Sequence, residues 1–252
     1  MDHRSELARL VECYRPDNVR PPWLRDLGIV LLVGPSGAGK GAVKAALIQT
    51  GRYHELVSHT TRPPRLNQGI QERQGVEYHF VTFEEIYQLA RSGKLVQFKP
   101  YGHHYYGTAW AELQKAATEK RVAVTDVNLH GAKEFTGLGL SGLVVVFLIP
   151  PRFAELLRRM TNRYGDKSSG SMFEINKRLE IAVIEMKEML AGGRNLHIVV
   201  NNVVTATASI IDKAVESRKP VESSPDSMAT LYQLIADIEL YLSSRHGLAV
   251  EP

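Results

Sequence analysis

Short apolar runs alternate with stretches of helical spacing along most of this chain. Residues 28–33, 122–127 and 143–148 are mostly apolar, which is typical of strands buried on both faces of a parallel sheet. Apolar residues elsewhere recur at the helical period. The pattern predicts strands at 28–33, 77–82, 95–99, 122–127, 143–148 and 197–200, and helices at 5–14, 40–48, 83–92, 109–119, 152–163, 173–190, 206–217 and 228–243. This alternation predicts an α/β fold with a mostly parallel sheet flanked by helices.

The pattern also predicts one main domain with an extension at each end. Residues 1–27 form an N-terminal extension with a short helix, and residues 28–217 form the main domain. Segment 218–227 has the composition of a linker, and 228–252 hold an amphipathic helix and a tail. We expect this last helix to pack back onto the domain.

Composition and charge exclude several classes of protein. The chain has 252 residues, 44% of them hydrophobic, and a net charge of +4 without the clustered basic and aromatic residues typical of nucleic-acid binding. The single cysteine, Cys13, excludes an internal disulfide and a cysteine-based metal site. The longest apolar run, 143–149, is too short to span a membrane, and the N-terminus lacks a signal-peptide pattern. We therefore expect a soluble cytoplasmic protein that binds neither nucleic acid nor membrane.

A glycine-rich segment follows the first predicted strand. Its residues, Gly34, Pro35, Ser36, Gly37, Ala38, Gly39 and Lys40, fit the pattern G-x-x-x-x-G-K between a strand and a helix. In this pattern, backbone N–H groups surround nucleotide phosphates and the lysine contacts the β- and γ-phosphates. Gly41 follows where the pattern has Ser or Thr, so no hydroxyl is present there for Mg²⁺. Metal binding would then depend on water and on a carboxylate elsewhere.

A second candidate phosphate site lies about twenty residues further on. Arg62 and Arg65 are separated by two prolines, and Ser58, Thr60 and Thr61 precede them. Two guanidinium groups with nearby hydroxyls suit a phosphate dianion. A second phosphate site indicates a second phosphorylated substrate, and hence a nucleotide kinase.

At this point the chain resembles the guanylate kinases, from about residue 28 to about residue 217. The resemblance depends on several motifs in order along the chain: 34–40, 58–65, 75–81, 105–108, Asp126 with Gly131, 150–151, 176–179 and 200–201. It implies a P-loop fold with a small monophosphate-binding part at about 57–110 and a lid at about 160–175. Within the lid, the polar segment 164–171 is predicted to be a mobile loop.

The resemblance also implies roles for individual residues. ATP would be bound by residues 34–41 and by Asn201, with Lys40, Arg159, Arg163 and Arg178 as the catalytic cations. The GMP phosphate would be bound by Ser58, Arg62, Arg65, Tyr78 and Tyr106. The guanine would be bound near Gln97, Thr108, Asp126 and Asn128. The substrates would be ATP and GMP, and the cofactor would be Mg²⁺ bound with ATP. The protein would be a monomer or a homodimer.

Asp126 is a candidate ligand for Mg²⁺ through water, or for the substrate. It ends a predicted strand, and the carboxyl ends of parallel strands face the ligand crevice of such folds. A turn or helix cap is the alternative role for this carboxylate.

Four positions depart from the family pattern: Asn202 replaces an acid after Asn201, and three others leave alternatives open. Gly41 replaces Ser or Thr, Gln97 replaces Glu, and Asn128 replaces Asp. A guanylate kinase is the preferred interpretation. The alternatives are a non-catalytic module that binds nucleotides or phosphorylated partners, and a kinase for another nucleoside monophosphate.

Overall fold

The computed structural model describes residues 3–16, 21–67, 70–164, 169–192, 197–219, 221 and 223–246. Its helices are α1 (His3–Cys13), α2 (Lys40–Gln49), α3 (Phe83–Arg91), α4 (Trp110–Thr118), α5 (Leu129–Thr136), α6 (Phe153–Tyr164), α7 (Ser169–Gly192), α8 (Val204–Ser217) and α9 (Pro225–His246), with a 3₁₀ turn at Pro22–Arg25. Its strands are β1 (Ile29–Val33), β2 (Tyr53–Glu55), β3 (His59–Thr60), β4 (Leu66–Asn67), β5 (Ile70–Gln71), β6 (His79–Phe80), β7 (Leu95–Tyr101), β8 (His104–Ala109), β9 (Val122–Asp126), β10 (Leu143–Ile149) and β11 (His197–Val200).

The strands form a larger sheet, a smaller sheet and a hairpin. The larger sheet has the order β11-β10-β1-β9-β2, and its pairs β10–β11 and β2–β9 are parallel. The smaller sheet has the order β6-β3-β8-β7, in which β8 is antiparallel to both β3 and β7. Strands β4 and β5 form the antiparallel hairpin. The predicted α/β fold with a mostly parallel central sheet flanked by helices is confirmed.

Some elements differ from those predicted. The predicted strand at 77–82 is reduced to His79–Phe80, and strands β2, β3, β4, β5 and β8 and helix α5 were not predicted. Strand β8 has the sequence HYYGTA, whose polar and aromatic residues lack the alternation of a half-buried strand. In the segment predicted as a mobile loop, Tyr164 belongs to α6 and residues 169–171 to α7, while 165–168 lie outside the described residues.

The chain divides into two compact units, each described by itself. Unit 1 comprises residues 1–29, 52–125 and 133–142, and unit 2 comprises 30–51, 126–132 and 143–252. Unit 1 contains the smaller sheet, and unit 2 contains the glycine-rich segment. In unit 2 the strand residues Val30–Val33 are fully buried or nearly so, as the continuous apolar run predicts.

The N-terminal helix α1 is part of the core of unit 1. Leu7 is fully buried, and the Tyr14 ring packs edge-on against Phe98 with ring centroids 5.5 Å apart. The Tyr14 hydroxyl donates a hydrogen bond to the Leu95 carbonyl in β7. Phe98 in turn stacks on Tyr105 of β8. The N-terminal extension thus supports the two strands that carry the candidate acceptor residues.

Helices in the described part of the chain are not long and apolar enough to cross a membrane.

Candidate active site

The glycine-rich segment of unit 2 has the backbone geometry of a phosphate-binding loop. Gly34 has φ 133° and Gly39 has φ 92°, values that residues with a Cβ rarely adopt. A Cβ on Gly34 would collide with the Leu148 carbonyl oxygen, and one on Gly39 with the Asn201 side chain. Helix α2 begins directly after the loop, and no side-chain cap occupies its first N–H groups. A glycine loop followed by an uncapped helix N-terminus is an arrangement that suits an anion.

Lys40, the first residue of α2, lies over this loop. Its ammonium group donates to the carbonyl oxygens of Gly34 and Pro35. The lysine is thus held where a phosphate bound to the loop would contact it.

Two predicted residues, Asn201 and Arg159, make hydrogen bonds to the backbone of the loop. The buried Asn201 donates from Nδ2 to the Ala38 carbonyl at 2.8 Å and accepts from the Thr207 hydroxyl at 3.1 Å. Arg159 donates to the carbonyl of Asn201 at 3.1 Å and to that of Ala38 at 3.3 Å. Both side chains therefore bond to carbonyl groups of the loop and of Asn201, and their predicted roles towards ATP stay predictions.

Glu155 orients Arg159 from the preceding helical turn. Its carboxylate accepts from Arg159 Nε at 2.7 Å and from Arg158 at 2.7 and 2.8 Å. Hydrogen bonds from Arg158 and Arg159 lower the pKa of Glu155 to about 2, so this carboxylate stays ionised.

The remaining predicted cations lie on α6 and α7. Arg178 donates from Nε to Glu174 at 2.9 Å. Burial raises the pKa of Glu185, and the charge of Glu188 raises it further. The positive charges of Lys40 and Arg178 oppose this rise. Arg178 and Lys40 therefore lie within electrostatic range of the same carboxyl. The Arg163 side chain lies outside the described residues.

Asp126, the carboxylate that was predicted to hold Mg²⁺ through water, is paired with a lysine of α2. Lys44 Nζ lies 2.7 Å from Asp126 Oδ1. Desolvation opposes ionisation of Asp126, but the charge and hydrogen bond of Lys44, and the charge of Lys40, outweigh it and lower its pKa. Asp126 is therefore ionised and close to the cations of the phosphate loop.

Asn128 caps a helix. Its Oδ1 accepts from the Gly131 N–H at 2.9 Å, at the start of α5. A side-chain oxygen in this position satisfies one of the free N–H groups at a helix N-terminus.

Three candidate acceptor residues of unit 1, Gln97, Tyr106 and Thr108, share one face of the smaller sheet. In the β7–β8 pairing Gln97 lies opposite Thr108, and Lys99 lies opposite Tyr106. Residues directly opposite each other, or two apart on one strand, project to the same face. The other face carries Phe98 and Tyr105, which belong to the apolar cluster with α1 and α3. The alternation thus separates a polar face from the core of unit 1.

Arg62 lies at the phosphate end of this face in a buried ion pair. It is 5% exposed, and its guanidinium lies 2.8 Å from Glu72 Oε2 and 3.0 Å from Oε1. The guanidinium also lies 5.2 Å from the centre of the Tyr78 ring, and the Tyr78 and Tyr106 ring centroids are 6.0 Å apart. Burial alone would lower the pKa of Arg62, but Glu72 and then Tyr106 raise it. The structure therefore brings together Arg62, Tyr78 and Tyr106, three of the five residues predicted for the phosphate.

Arg65 is exposed, and its backbone N–H donates to Glu72 Oε2 at 2.8 Å. Glu72 therefore fixes the side chain of the first predicted arginine and the backbone of the second.

A chain of hydrogen bonds occupies the other end of the face. The Gln97 Nε2 donates to Thr108 Oγ1 at 3.0 Å, and the Thr108 and Ser58 hydroxyls lie 3.2 Å apart. Gln97 is 5% exposed, and its Oε1 is buried without a hydrogen-bond partner among the described residues. An unsatisfied buried acceptor costs about 1–3 kcal/mol. A ligand donor at Oε1 would remove this cost.

A partly buried histidine pair supports the same sheet. His59 of β3 and His79 of β6 have ring centroids 4.6 Å apart. Glu112 of α4, which is 3% exposed, lies 3.3 Å from His79 Nε2 and accepts from the Val57 N–H at 3.1 Å. Lys115 also donates to Glu112. This carboxylate therefore holds the backbone immediately before Ser58.

The unfolding free energy is expected to fall in mild acid because of His59. Burial lowers the pKa of His59 to about 4, helped by the neighbouring His79, from an ordinary value of 6.5. The unfolded chain then binds more protons than the folded one between these values, so stability is lost as the pH falls from 6.5 towards 4. The loss at pH 5 should be about 1–2 kcal/mol.

Urea unfolding at pH 7.5 and pH 5 measures this loss, and His59→Asn should make the difference smaller. His103→Asn, at an exposed histidine, is the control. An unchanged pH dependence in His59→Asn would contradict the assignment.

Several residues of the site were not identified from the sequence. Glu72, Lys44 and Glu112 bond to residues of another segment or element, and none of the three belongs to a local motif. The capping role of Asn128 had a local signal, since Asn directly before a helix is a common N-cap.

The fold and the glycine loop define a P-loop protein of the α/β class. The guanylate kinase family model matches residues 28–218. A guanylate kinase of Frankia casuarinae is 37% identical over 163 residues, covering 64% of this chain and 83% of that protein. One from Thermus thermophilus is 32% identical over 180 residues, covering 70% and 74%. The chain belongs to the guanylate kinase family.

A solved structure gives independent support for the fold alone. The crystal structure of guanylate kinase from Anaplasma phagocytophilum has a TM-score of 0.57 and is 24% identical, covering 78% of this chain and 89% of that one.

Proposed function

We propose that this protein transfers the γ-phosphate of ATP to the 5′-phosphate of GMP, giving ADP and GDP. The observation that supports the proposal is that each unit holds a separate group of residues suited to a phosphate. One is the glycine loop with Lys40 in unit 2, and the other is the face with Arg62, Tyr78 and Tyr106 in unit 1. Membership of the guanylate kinase family identifies the acceptor as guanylate.

Unit 2 would bind the donor. Backbone N–H groups within 34–41, where Pro35 has none, contact the ATP phosphates, and Asn201 holds the loop through its hydrogen bond to the Ala38 carbonyl. Lys40, Arg159, Arg163 and Arg178 supply positive charge as the γ-phosphoryl group moves. A GMP phosphate oxygen attacks the γ-phosphorus while the bond to ADP breaks, so no covalent enzyme intermediate forms.

Unit 1 would bind the acceptor. Arg62, Tyr78 and Tyr106 donate to the monophosphate oxygens, with Arg65 and Ser58 as the further candidates from the sequence. At the guanine end, we propose that Gln97 and Thr108 contact the base, with Asn128 and Asp126 as the further candidates from the sequence.

The residues present fit a Mg²⁺ ion that arrives with ATP, and not one held by protein side chains alone. Gly41 has no hydroxyl, Asp126 pairs with Lys44, and the described ranges contain no cluster of three or more His, Cys, Asp or Glu. Mg²⁺ bound to nucleotides keeps phosphate oxygens and water as most of its ligands, so one carboxylate suffices. Asp126 would hold the ion through water, and the ion would supply charge that neutralises the β- and γ-phosphates. A monomer or homodimer in the cytoplasm stays a prediction from the sequence.

The proposal is tested by measuring ADP formation from Mg·ATP with GMP, AMP, CMP, UMP and IMP offered separately. Turnover with GMP is the expected result. Monophosphate binding without ADP formation would instead indicate a module without kinase activity. Turnover confined to another base would assign a different acceptor.

A further inference from the structure

A lysine that the proposed reaction does not use lies on the acceptor face of unit 1. Lys99 is partly buried in β7, and it projects to the same face as Gln97 because the two are alternate residues of one strand. The register is regular from Gln97 to Tyr101, since its single shift lies between Leu95 and Gln97. Lys99 therefore neighbours the Gln97–Thr108–Ser58 hydrogen bonds.

The surroundings of Lys99 differ from those of an ordinary surface lysine. Burial lowers the pKa of Lys99 to about 8, while the Glu134 carboxylate in α5 opposes the fall. A partly buried ammonium gains more from a further hydrogen-bond acceptor than an exposed one does, and Lys99 has three N–H donors.

The pair formed by Gln97 and Lys99 has a defined complement among the bases. Gln97 offers a buried acceptor, Oε1, because its Nε2 already donates to Thr108. Lys99 offers N–H donors and no acceptor. A 6-oxopurine presents the matching pair, a carbonyl O6 next to an N1–H donor. Adenine presents the reverse, an amino donor at C6 next to an N1 acceptor.

We propose that Lys99 is a specificity-determining residue that donates to the O6 of a 6-oxopurine whose N1–H donates to Gln97. The inference depends on the proposed function in that unit 1 binds a nucleoside monophosphate. It specifies the substrate class as 6-oxopurine 5′-monophosphates, GMP and IMP, against AMP.

A second consequence concerns the 2-amino group that distinguishes guanine from hypoxanthine. A carboxylate at position 97 would have two acceptor oxygens, for N1–H and for the 2-amino group, whereas the amide has one. The chain therefore discriminates weakly between GMP and IMP, and Gln97→Glu restores the discrimination.

Calorimetric titration of the full chain with GMP, IMP and AMP tests the inference without requiring turnover. In the wild type, we expect GMP and IMP to differ by less than about fivefold and AMP to bind at least about tenfold more weakly. Lys99→Met should weaken GMP and IMP by about 10- to 100-fold and leave AMP within twofold. Lys99→Arg, which keeps the donors, should recover part of the loss. Lys94→Met, at an exposed lysine just before β7, is the matched control and should change nothing.

Three results would overturn the inference. Equal weakening of all three nucleotides in Lys99→Met would assign Lys99 to the phosphate or to stability. Unchanged GMP and IMP affinities would remove it from the site. Wild-type AMP affinity equal to that of GMP would remove the base preference. Failure of the proposed function is seen separately, as absence of ADP formation in a chain that still binds GMP.

Discussion

Replacing Lys40 by Met should lower the rate of phosphoryl transfer by about a thousandfold or more. The lysine is the first residue of α2, and its ammonium group is held over the loop by the Gly34 and Pro35 carbonyls. Because the ammonium follows charge onto the transferring phosphoryl group, its loss affects the transition state more than bound ATP. The N–H groups of the loop and of α2 remain, so ATP should still bind, with a smaller loss of affinity.

The control for this experiment is Lys213→Met, at an exposed lysine of α8 in the same unit. Both variants should unfold at the urea concentration of the wild type, since neither side chain belongs to the core. Single-turnover rates with Mg·ATP and GMP measure the transfer step, and equilibrium titration with ATP measures binding. A transfer rate within tenfold of the wild type in Lys40→Met would remove Lys40 from the reaction.

Sequence and structure agree best where the pattern is local. The buried strands β1 and β10 were predicted because each is a single apolar run. Helices α2 and α3 were predicted because their helical periodicity lies within one segment. The glycine loop was identified because its residue types, spacing and flanking elements all lie within 28–48. Such signals need no information about distant parts of the chain.

Agreement is weaker where a feature depends on contacts between distant segments. Strand β3 has two residues, and it exists because β6 and β8 supply its hydrogen bonds. The pairing of Lys44 with Asp126 and of Glu112 with the Val57 N–H joins residues on different elements. Residue types alone do not specify such pairs, because any surface lysine or glutamate has the same local pattern.

The proposed base-binding end of the acceptor face shows a further limit of prediction from the sequence. Gln97 was singled out from the sequence, but its meaning depended on which of its atoms is already bonded. The hydrogen bond from Nε2 to Thr108 leaves Oε1 as the acceptor, and Lys99 becomes a candidate only when the register places it on the same face.

Replacing Glu72 by Ala should lower the unfolding free energy of unit 1 by about 3–5 kcal/mol. Glu72 and Arg62 are both nearly fully buried, with 8% and 5% of their side chains exposed. Removing the carboxylate leaves a buried guanidinium charge without its partner, and it also removes the acceptor of the Arg65 N–H. Glu77→Ala is the matched control, since Glu77 makes an exposed pair with Arg73 at 3.7 Å, and it should change stability by less than about 1 kcal/mol.

The double variant Arg62→Met with Glu72→Leu separates stability from binding. Replacing both members of a buried ion pair by apolar residues is often neutral or stabilising, so the double variant should regain most of the stability lost in Glu72→Ala. It should nevertheless bind GMP about 10- to 100-fold more weakly, because a charge-assisted hydrogen-bond donor to the phosphate is gone. Urea unfolding and GMP titration measure the two effects independently. Wild-type GMP affinity in a stable double variant would show that Arg62 serves the fold alone and that the acceptor phosphate is bound by other residues.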